Sequence, residues 1–471
     1  MPALSTPSPM QMLNSVSVPD QPGRLIPSSP SRGASVRWVC TTPDQPWREL
    51  DPLPGSPSGP RPTAVPDLVV TGRTDQTWRG FGGCFNELGG RALEVLSASV
   101  REGILADLFS PEGACRFNLA RLPIGANDYA ESWYSHDEYE DDVELARFSI
   151  ERDRRLLLPF VKAAQRHRPD LRIFASPWSP PTWMKTPAAC NFGVLRPERA
   201  IREAYARYFL RFVKAYAAEG IPVSEVHVQN EPDSDQKFPS CVWTGESMRD
   251  FIRDHLGPLF EREAPGCEVW AGTIEREDYS AWAHIILSDP EARRHVRGVG
   301  YQWAGRGAVQ RTHQAWPDLP ISQTENECGD GKNNWDYAFR VFDLLQHYVT
   351  NGASAYYYWN MVLAPEGRST WGWKQNAMIT VDPATRAVTL NPEYHVMRHA
   401  SRFIRPGAVR LEVAGPIAAH TLAFRDPDGS RVLVLANPLP VARTVVFDLP
   451  GFARSVELPA RSLHSFVISS A

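Results

Sequence analysis

The chain has 471 residues, with 50 Lys and Arg against 54 Asp and Glu for a formal charge of −4, and is 42% hydrophobic and 22% charged. That length can hold several domains, or one barrel with an accessory unit. The absence of any basic run excludes a nucleic-acid binder, and no apolar stretch reaches the roughly 18 residues that would span a membrane.

Two totals need a cause, 15 Trp and 42 Pro. Many of the prolines crowd the N-terminus, and with their Ser, Thr and Gly neighbours they mark residues 1–33 as a disordered leader with little apolar surface to offset chain entropy. No basic segment followed by an apolar stretch is present there, so no secretory signal is recognised and a cytoplasmic location is expected. Residues 34–76 carry strand character and are expected to join a C-terminal β-domain.

From 77 to 404, β-rich runs alternate with segments of helical period. The strand candidates are Trp78 to Phe85, Cys115 to Ile124, Leu171 to Trp178, Val223 to Glu231, Cys267 to Ile274, Val296 to Trp303, Leu319 to Asn326 and Ser354 to Asn360. Between them, Glu151 to His167 and Ala200 to Ala218 read as amphipathic helices, with Pro159 predicting a kink or a later start in the first. Eight such units predict an α/β fold, a (β/α)8 TIM barrel, and no GxGxxG turn supports an open doubly wound sheet instead. Residues 405–471 change period to short strands around the turn Asp426-Pro-Asp-Gly429, an accessory antiparallel β-sandwich domain.

The seven cysteines are scattered without a CxxC pair and read as small apolar fillers. His395 and His399 form an HxxxH pair without the glutamate of HExxH, on a predicted helix, and are given a packing or surface role. No cofactor or metal is called for, and no sequence feature fixes an oligomeric state.

Barrel chemistry sits at the C-terminal strand ends, where eight loops converge. Two carboxylates end strand candidates there: Glu231 in Val228-Gln-Asn-Glu-Pro232 and Glu325 in Ser322-Gln-Thr-Glu-Asn-Glu-Cys328. Each alone could be a rim ion pair. Two at opposite rims, beside amides and tryptophans, point to paired acid/base and nucleophilic chemistry on a sugar.

These residues resemble glycoside hydrolase family 30, most closely its glucosylceramidase-like branch. The likeness is carried by Gly80-Phe-Gly-Gly83, Arg121-Leu-Pro123, the long run Ala175-Ser-Pro-Trp-Ser-Pro-Pro-Thr-Trp-Met-Lys-Thr186, Asn230-Glu-Pro232, Arg249-Asp-Phe251 with Leu256-Gly-Pro258, and Trp359-Asn360 with Pro365-Glu-Gly367. The resemblance implies a retaining β-glycosidase with Glu231 as acid/base and Glu325 as nucleophile. Retention needs the two carboxyls about 5 to 5.5 Å apart, one protonated and one ionised. Arg121 matches a family arginine near the nucleophile. Asp128 and Trp178 match groups at the first sugar, Asn230 matches the residue expected at the 2-hydroxyl, and Trp359 matches the stacking floor. Aromatic faces suit sugars because pyranoses present C–H patches between polar edges.

Two features depart from the branch. Strand six ends Tyr301-Gln-Trp303 where a His-Trp-Tyr type ending is expected, so the phenol that supports the nucleophile is either supplied by Tyr301 or missing, and Trp303 is assigned to the sugar site. Glu327 shares a face with Glu325 and is the runner-up nucleophile. Trp270 and Trp282 are assigned to the core, and Trp183 is left open between core and site.

The acidic run between Asp128 and Glu144 reads as a solvated face; if it overhangs the mouth it disfavours anionic substrates. The substrate expected is a neutral β-linked glycoside. The alternatives are a β-xylosidase, β-fucosidase or β-1,6-glycanase of the same family, or a non-catalytic carbohydrate-binding barrel.

Overall fold

The computed structural model describes residues 35–54, 65–326 and 328–470. The 1–33 leader, residues 34 and 55–64 of the N-terminal segment, and Glu327 lie outside the described residues.

Eight parallel strands close into a barrel: β1 (Gly80–Cys84), β2 (Leu119–Ile124), β3 (Arg172–Pro177), β4 (Glu225–His227), β5 (Glu268–Ile274), β6 (Val296–Gln302), β7 (Ile321–Glu325) and β8 (Ala353–Asn360). Each pairs with the next, and β8 closes on β1. Two strands, β2 and β4, are shortened most against the runs the sequence suggests. Cys115 and Phe117 give their amides back to Asp107 and Leu108 of the preceding helix, so β2 starts only at Leu119. Beyond His227 the chain leaves regular strand geometry, and Glu231 takes a left-handed φ of 47° at the rim.

The helix after β2 spans Leu157–His167, preceded by a short turn at Asp153–Arg155. Pro159 therefore falls in its first turn, where a missing N–H costs nothing, and the later start replaces a kink. It buries Leu157, Phe160, Val161 and Ala164 against the barrel. The helix Arg199–Ala218 likewise buries a stripe that includes Ala204, Tyr208 and Phe212.

A column of rings fills the barrel below its mouth. Phe174 stacks on His227 at 4.2 Å, and His227 on Trp270 at 5.1 Å. Room for it comes from β6, where a Cβ on Gly298 would lie 2.4 Å from the Trp270 ring and one on Gly300 2.5 Å from His227 Nδ1. Trp270 and Trp282 are core residues, as is Trp183, whose indole N–H donates to the Asp137 carbonyl at 3.0 Å.

The second unit is a nine-stranded, mostly antiparallel sheet. Ser35–Thr42 enters it between Gln45–Pro54 and the last strand, Ser462–Ile468. The sequence reading passed over one of its members, Phe452–Leu458, while Leu68–Thr77 falls almost wholly in the 34–76 segment expected to carry strands. Phe447 and Phe452, on neighbouring strands, each lie 5.5 Å or less from one another and from Phe466, although the strand of Phe466 is far from theirs in sheet order. The sheet thus folds back on itself as a sandwich around Val36, Leu68, Leu433 and these rings.

His399, on the helix Pro392–Ser401, joins the two units: its ring bonds Ser465 Oγ at 2.8 Å and Thr41 Oγ1 at 2.9 Å. Among the described residues, no helix is long and apolar enough to cross a membrane.

Candidate active site

Arg121, third in β2 and fully buried, organises the mouth. Its Nη1 donates to Glu325 Oε2 at 2.7 Å, and its Nη2 to Asn230 Oδ1 at 2.7 Å and Ser176 Oγ at 3.0 Å. The guanidinium carbon lies 4.5 Å from the Trp178 ring, 5.4 Å from Trp359 and 5.6 Å from Phe174. One cation therefore fixes the ends of β2, β3 and β7, the residues just past β4, and the aromatic floor. Removing a guanidinium from water is costly, and only this full set of partners makes its burial tolerable.

Glu231 and Glu325 line one cavity of about 600 Å³, together with Asp128, Trp178 and Trp303. Their surroundings differ. Glu325 is ion-paired with Arg121, and the Cys328 thiol points at its Oε1 from 3.6 Å. Glu231 accepts a neutral bond from Gln302 Nε2 at 3.0 Å. Burial raises both carboxyls above their ordinary range. The charge of Glu325 lifts Glu231 further, while Arg121 draws Glu325 back down, so Glu231 is the better proton holder. Asp128 is pushed up to about 7 by burial and then by Glu231.

Trp178 and Trp359 stack at 5.4 Å, both buried. Trp359 Nε1 and Asn360 Nδ2 both donate to Gln375 Oε1, at 3.0 and 2.9 Å. Gln375 belongs to the segment after β8, which arches over the mouth. Thr370 Oγ1 in this arch donates to Ala130 O at 2.6 Å, Trp371 packs beside Ala126 and Tyr134, and Trp373 meets the edge of Phe238 at 6.3 Å.

One predicted site residue is not brought to the mouth. Tyr301 sends its hydroxyl to Thr312 Oγ1 at 2.7 Å on the helix Arg306–Ala315, outside the barrel. Strand alternation is the reason: Gln302 faces inward, so its neighbour Tyr301 faces out. Trp303 regains the cavity because the chain turns at the strand end, where its φ is 25°. Of the two alternatives for the phenol, Tyr301 does not supply it, and the donor beside Arg121 at Glu325 is a thiol, Cys328, one of seven free cysteines. Glu327, the runner-up nucleophile, lies outside the described residues.

Of the acidic run, Asp128 alone lines the cavity. Glu138 accepts from the Thr182 amide at 3.1 Å, and Asp142 accepts from the amides of Ala146 and Arg147. Sequence reading passed over Gln302, Gln375, Cys328 and Trp373. Period-two alternation from the outward Tyr301 could have found Gln302, whereas the arch residues sit in an irregular segment with no periodic signal.

A parallel eight-stranded barrel with two unlike buried carboxylates on an aromatic floor defines a barrel glycosidase. Comparison with known proteins is specific. The glycosyl hydrolase family 30 TIM-barrel domain matches residues 78–404, and the family's beta sandwich domain matches residues 407–466, so the chain belongs to glycosyl hydrolase family 30. It is 29% identical to the lysosomal acid glucosylceramidase of Mus musculus, over 83% of this chain and 81% of that protein. It is 26% identical to the endo-1,6-beta-D-glucanase of Neurospora crassa, over 79% of this chain and 80% of the other. Among solved structures, SrfJ of Salmonella typhimurium shares the fold with a TM-score of 0.86 and 24% identity, over 93% of this chain and all of that one. The protein is a glycosidase.

Proposed function

We propose that the protein hydrolyses neutral β-glycosides with retention, Glu325 acting as nucleophile and Glu231 as acid/base. The observation that carries this reading is the asymmetry of the pair. Glu325 is paired with a buried cation at 2.7 Å, while the donors that Glu231 meets, the Gln302 amide and the Trp303 indole, are neutral. An ion-paired carboxylate stays charged and can attack; a carboxyl raised by burial and by a like charge keeps its proton to give away.

In the first step the Glu325 carboxylate bonds to the anomeric carbon as the glycosidic C–O bond breaks, and Glu231 passes its proton to the departing oxygen. In the second, water attacks that carbon, Glu231 takes the water proton, and Glu325 leaves as carboxylate. Asn230, held by Arg121, is placed to meet the 2-hydroxyl, and Trp178 and Trp359 form the floor under the sugar. Asp128, Glu231 and Glu325, three of the five carboxyls lining the cavity and the three whose charges act on one another, disfavour an anionic glycone.

Aryl β-glycosides test the roles. Glu325→Gln is expected to remove turnover on every one of them. Glu231→Ala is expected to slow poor leaving groups by roughly 10² to 10⁴-fold, and activated phenolates far less, because they depart without a proton. Proton NMR of the first-formed sugar is expected to show the β-anomer. Equal losses on both leaving-group classes, or an α-product, would overturn the reading.

A further inference from the structure

We infer that Glu275 is a positioning residue for the acid/base: its carboxylate pins the turn that carries Glu231 and sets a second negative charge beside it. The inference rests on the roles given to Glu231 and Glu325 above.

The turn has to be held from outside. Regular β4 geometry ends at His227, and Glu231 follows with a left-handed φ of 47°. A residue with a side chain keeps that costly backbone only where its neighbours fix it. Main-chain bonds do part of this: Glu231 donates its amide to Thr273 O at 3.1 Å, and Ser234 donates its amide to Glu231 O at 3.0 Å. The residues just after Glu231 are then held from β5. Glu275, immediately past that strand, accepts the Ser234 hydroxyl at 2.8 Å and the Asp233 amide at 3.2 Å, both on Oε1.

The chemistry of this tether is more than a fastening needs. The Glu275 side chain is fully buried, and its Oε2 has no hydrogen-bond partner among the described residues. Arg276 Nε lies 3.5 Å from Oε1 but donates to Asp233 Oδ2 at 2.7 Å, and this arginine is 46% exposed, where water screens it. A neutral amide would accept the same two bonds without burying an ionisable group. What the carboxyl adds is charge. Burial pushes Glu275 up to about 7. Once ionised it opposes a charge on Glu231, and after burial itself and Glu325 it is the next influence raising that carboxyl. The other groups facing Glu231 are Arg121, Asp128 and the Cys328 thiol. A proton donor must enter the transition state still protonated, and a neighbouring negative charge keeps it so.

Two variants of the full chain separate the charge from the tether. Glu275→Gln keeps an oxygen for both donors and removes the charge. The basic limb of its kcat/KM profile, where Glu231 must still hold its proton, is expected to move to lower pH by about half a unit or more, with the acidic limb moving less. Ser234→Ala keeps the charge and removes one tether bond. Its kcat/KM is expected to fall at least threefold more on the methyl β-glycoside of the sugar that the wild type cleaves best than on the dinitrophenyl one, which departs without a proton. Carboxyl carbon NMR supplies a readout without turnover: the Glu231 signal, assigned by its loss in Glu231→Gln, should titrate at lower pH in Glu275→Gln than in the wild type. A basic limb or a Glu231 titration that stays fixed or moves to higher pH in Glu275→Gln overturns the inference, and so does an equal loss on both glycosides in Ser234→Ala. Failure of the wild type to cleave any aryl β-glycoside strikes the proposed function instead, and leaves the NMR titration to judge Glu275.

Discussion

At Glu325 two donors compete with burial for control of one proton. Arg121 supplies full charge at 2.7 Å, and Cys328 supplies a weaker S–H···O contact at 3.6 Å. Both favour the ionised carboxyl. Removing the thiol therefore raises the Glu325 pKa, and the acidic limb of the kcat/KM profile, where the free-enzyme nucleophile must lose its proton, moves to higher pH. For Cys328→Ala the expected displacement is about half a pH unit, equivalent to roughly 0.7 kcal/mol at 1.36 kcal/mol per unit. Cys328→Ser, which keeps a donor, should hold the limb near its original place. A limb that stays fixed in the alanine variant, or moves to lower pH, would show that the sulfur does not act on the nucleophile. The two glutamates were legible in the sequence because strand ends are few and each carries a charge, and Arg121 because its motif matches a family arginine. Cys328 was not: its role depends on the turn after β7, and a cysteine among six others has no pattern to distinguish it.

At the level of elements, the barrel is legible because strands and helices alternate with different periods, and closure follows from their number. Its glycines carry a second message that depends on what each strand faces. Gly82 in β1 sits against β2 so closely that a Cβ would lie 2.3 Å from the Leu119 carbonyl oxygen. That oxygen belongs to the strand backbone and cannot swing aside as a flexible side chain would. Gly82→Ala is accordingly expected to destabilise the fold by about 1 to 3 kcal/mol, the range for overpacking a tight interior. Urea unfolding should show the midpoint falling with the m-value unchanged. Gly103→Ala, where a Cβ meets nothing within 4 Å on an exposed helix, is the control and should be neutral or slightly stabilising. If the two variants unfold alike, the close approach of β1 and β2 is not what limits this position. The arch after β8 obeys no such periodicity. It is held by single contacts, such as Thr370 to Ala130 and Trp373 to Phe238, between segments far apart in sequence, which is why Gln375 and Trp373 emerge only in three dimensions.

Across the whole molecule, the barrel and the sandwich are tied by buried polar groups as well as by packed rings. His399 projects from the last barrel helix between Thr41 and Ser465, two strands of the sandwich, and both ring nitrogens are used. Burial drives its pKa well below 6.5, with further repulsion from His464, His395 and Arg398, so the ring is neutral in the folded protein. In the unfolded chain it takes up a proton near pH 6.5. The folded pKa is the lower one, so this group's full contribution is present above pH 6.5, and it declines as acidification protonates the unfolded state. The slope is about 1.36 kcal/mol per pH unit. A variant without the titratable ring, His399→Gln, loses a well-placed bridge at pH 7.5 and should be the less stable protein there. Its stability lacks that one proton's worth of acid sensitivity, so the gap to wild type should narrow by about 1 to 2 kcal/mol between pH 7.5 and 5.0. Other buried groups titrate identically in both proteins and cancel in the difference. Paired urea titrations at the two pH values give the result directly, and a gap that stays constant or widens on acidification would mean that His399 is already protonated in the folded protein.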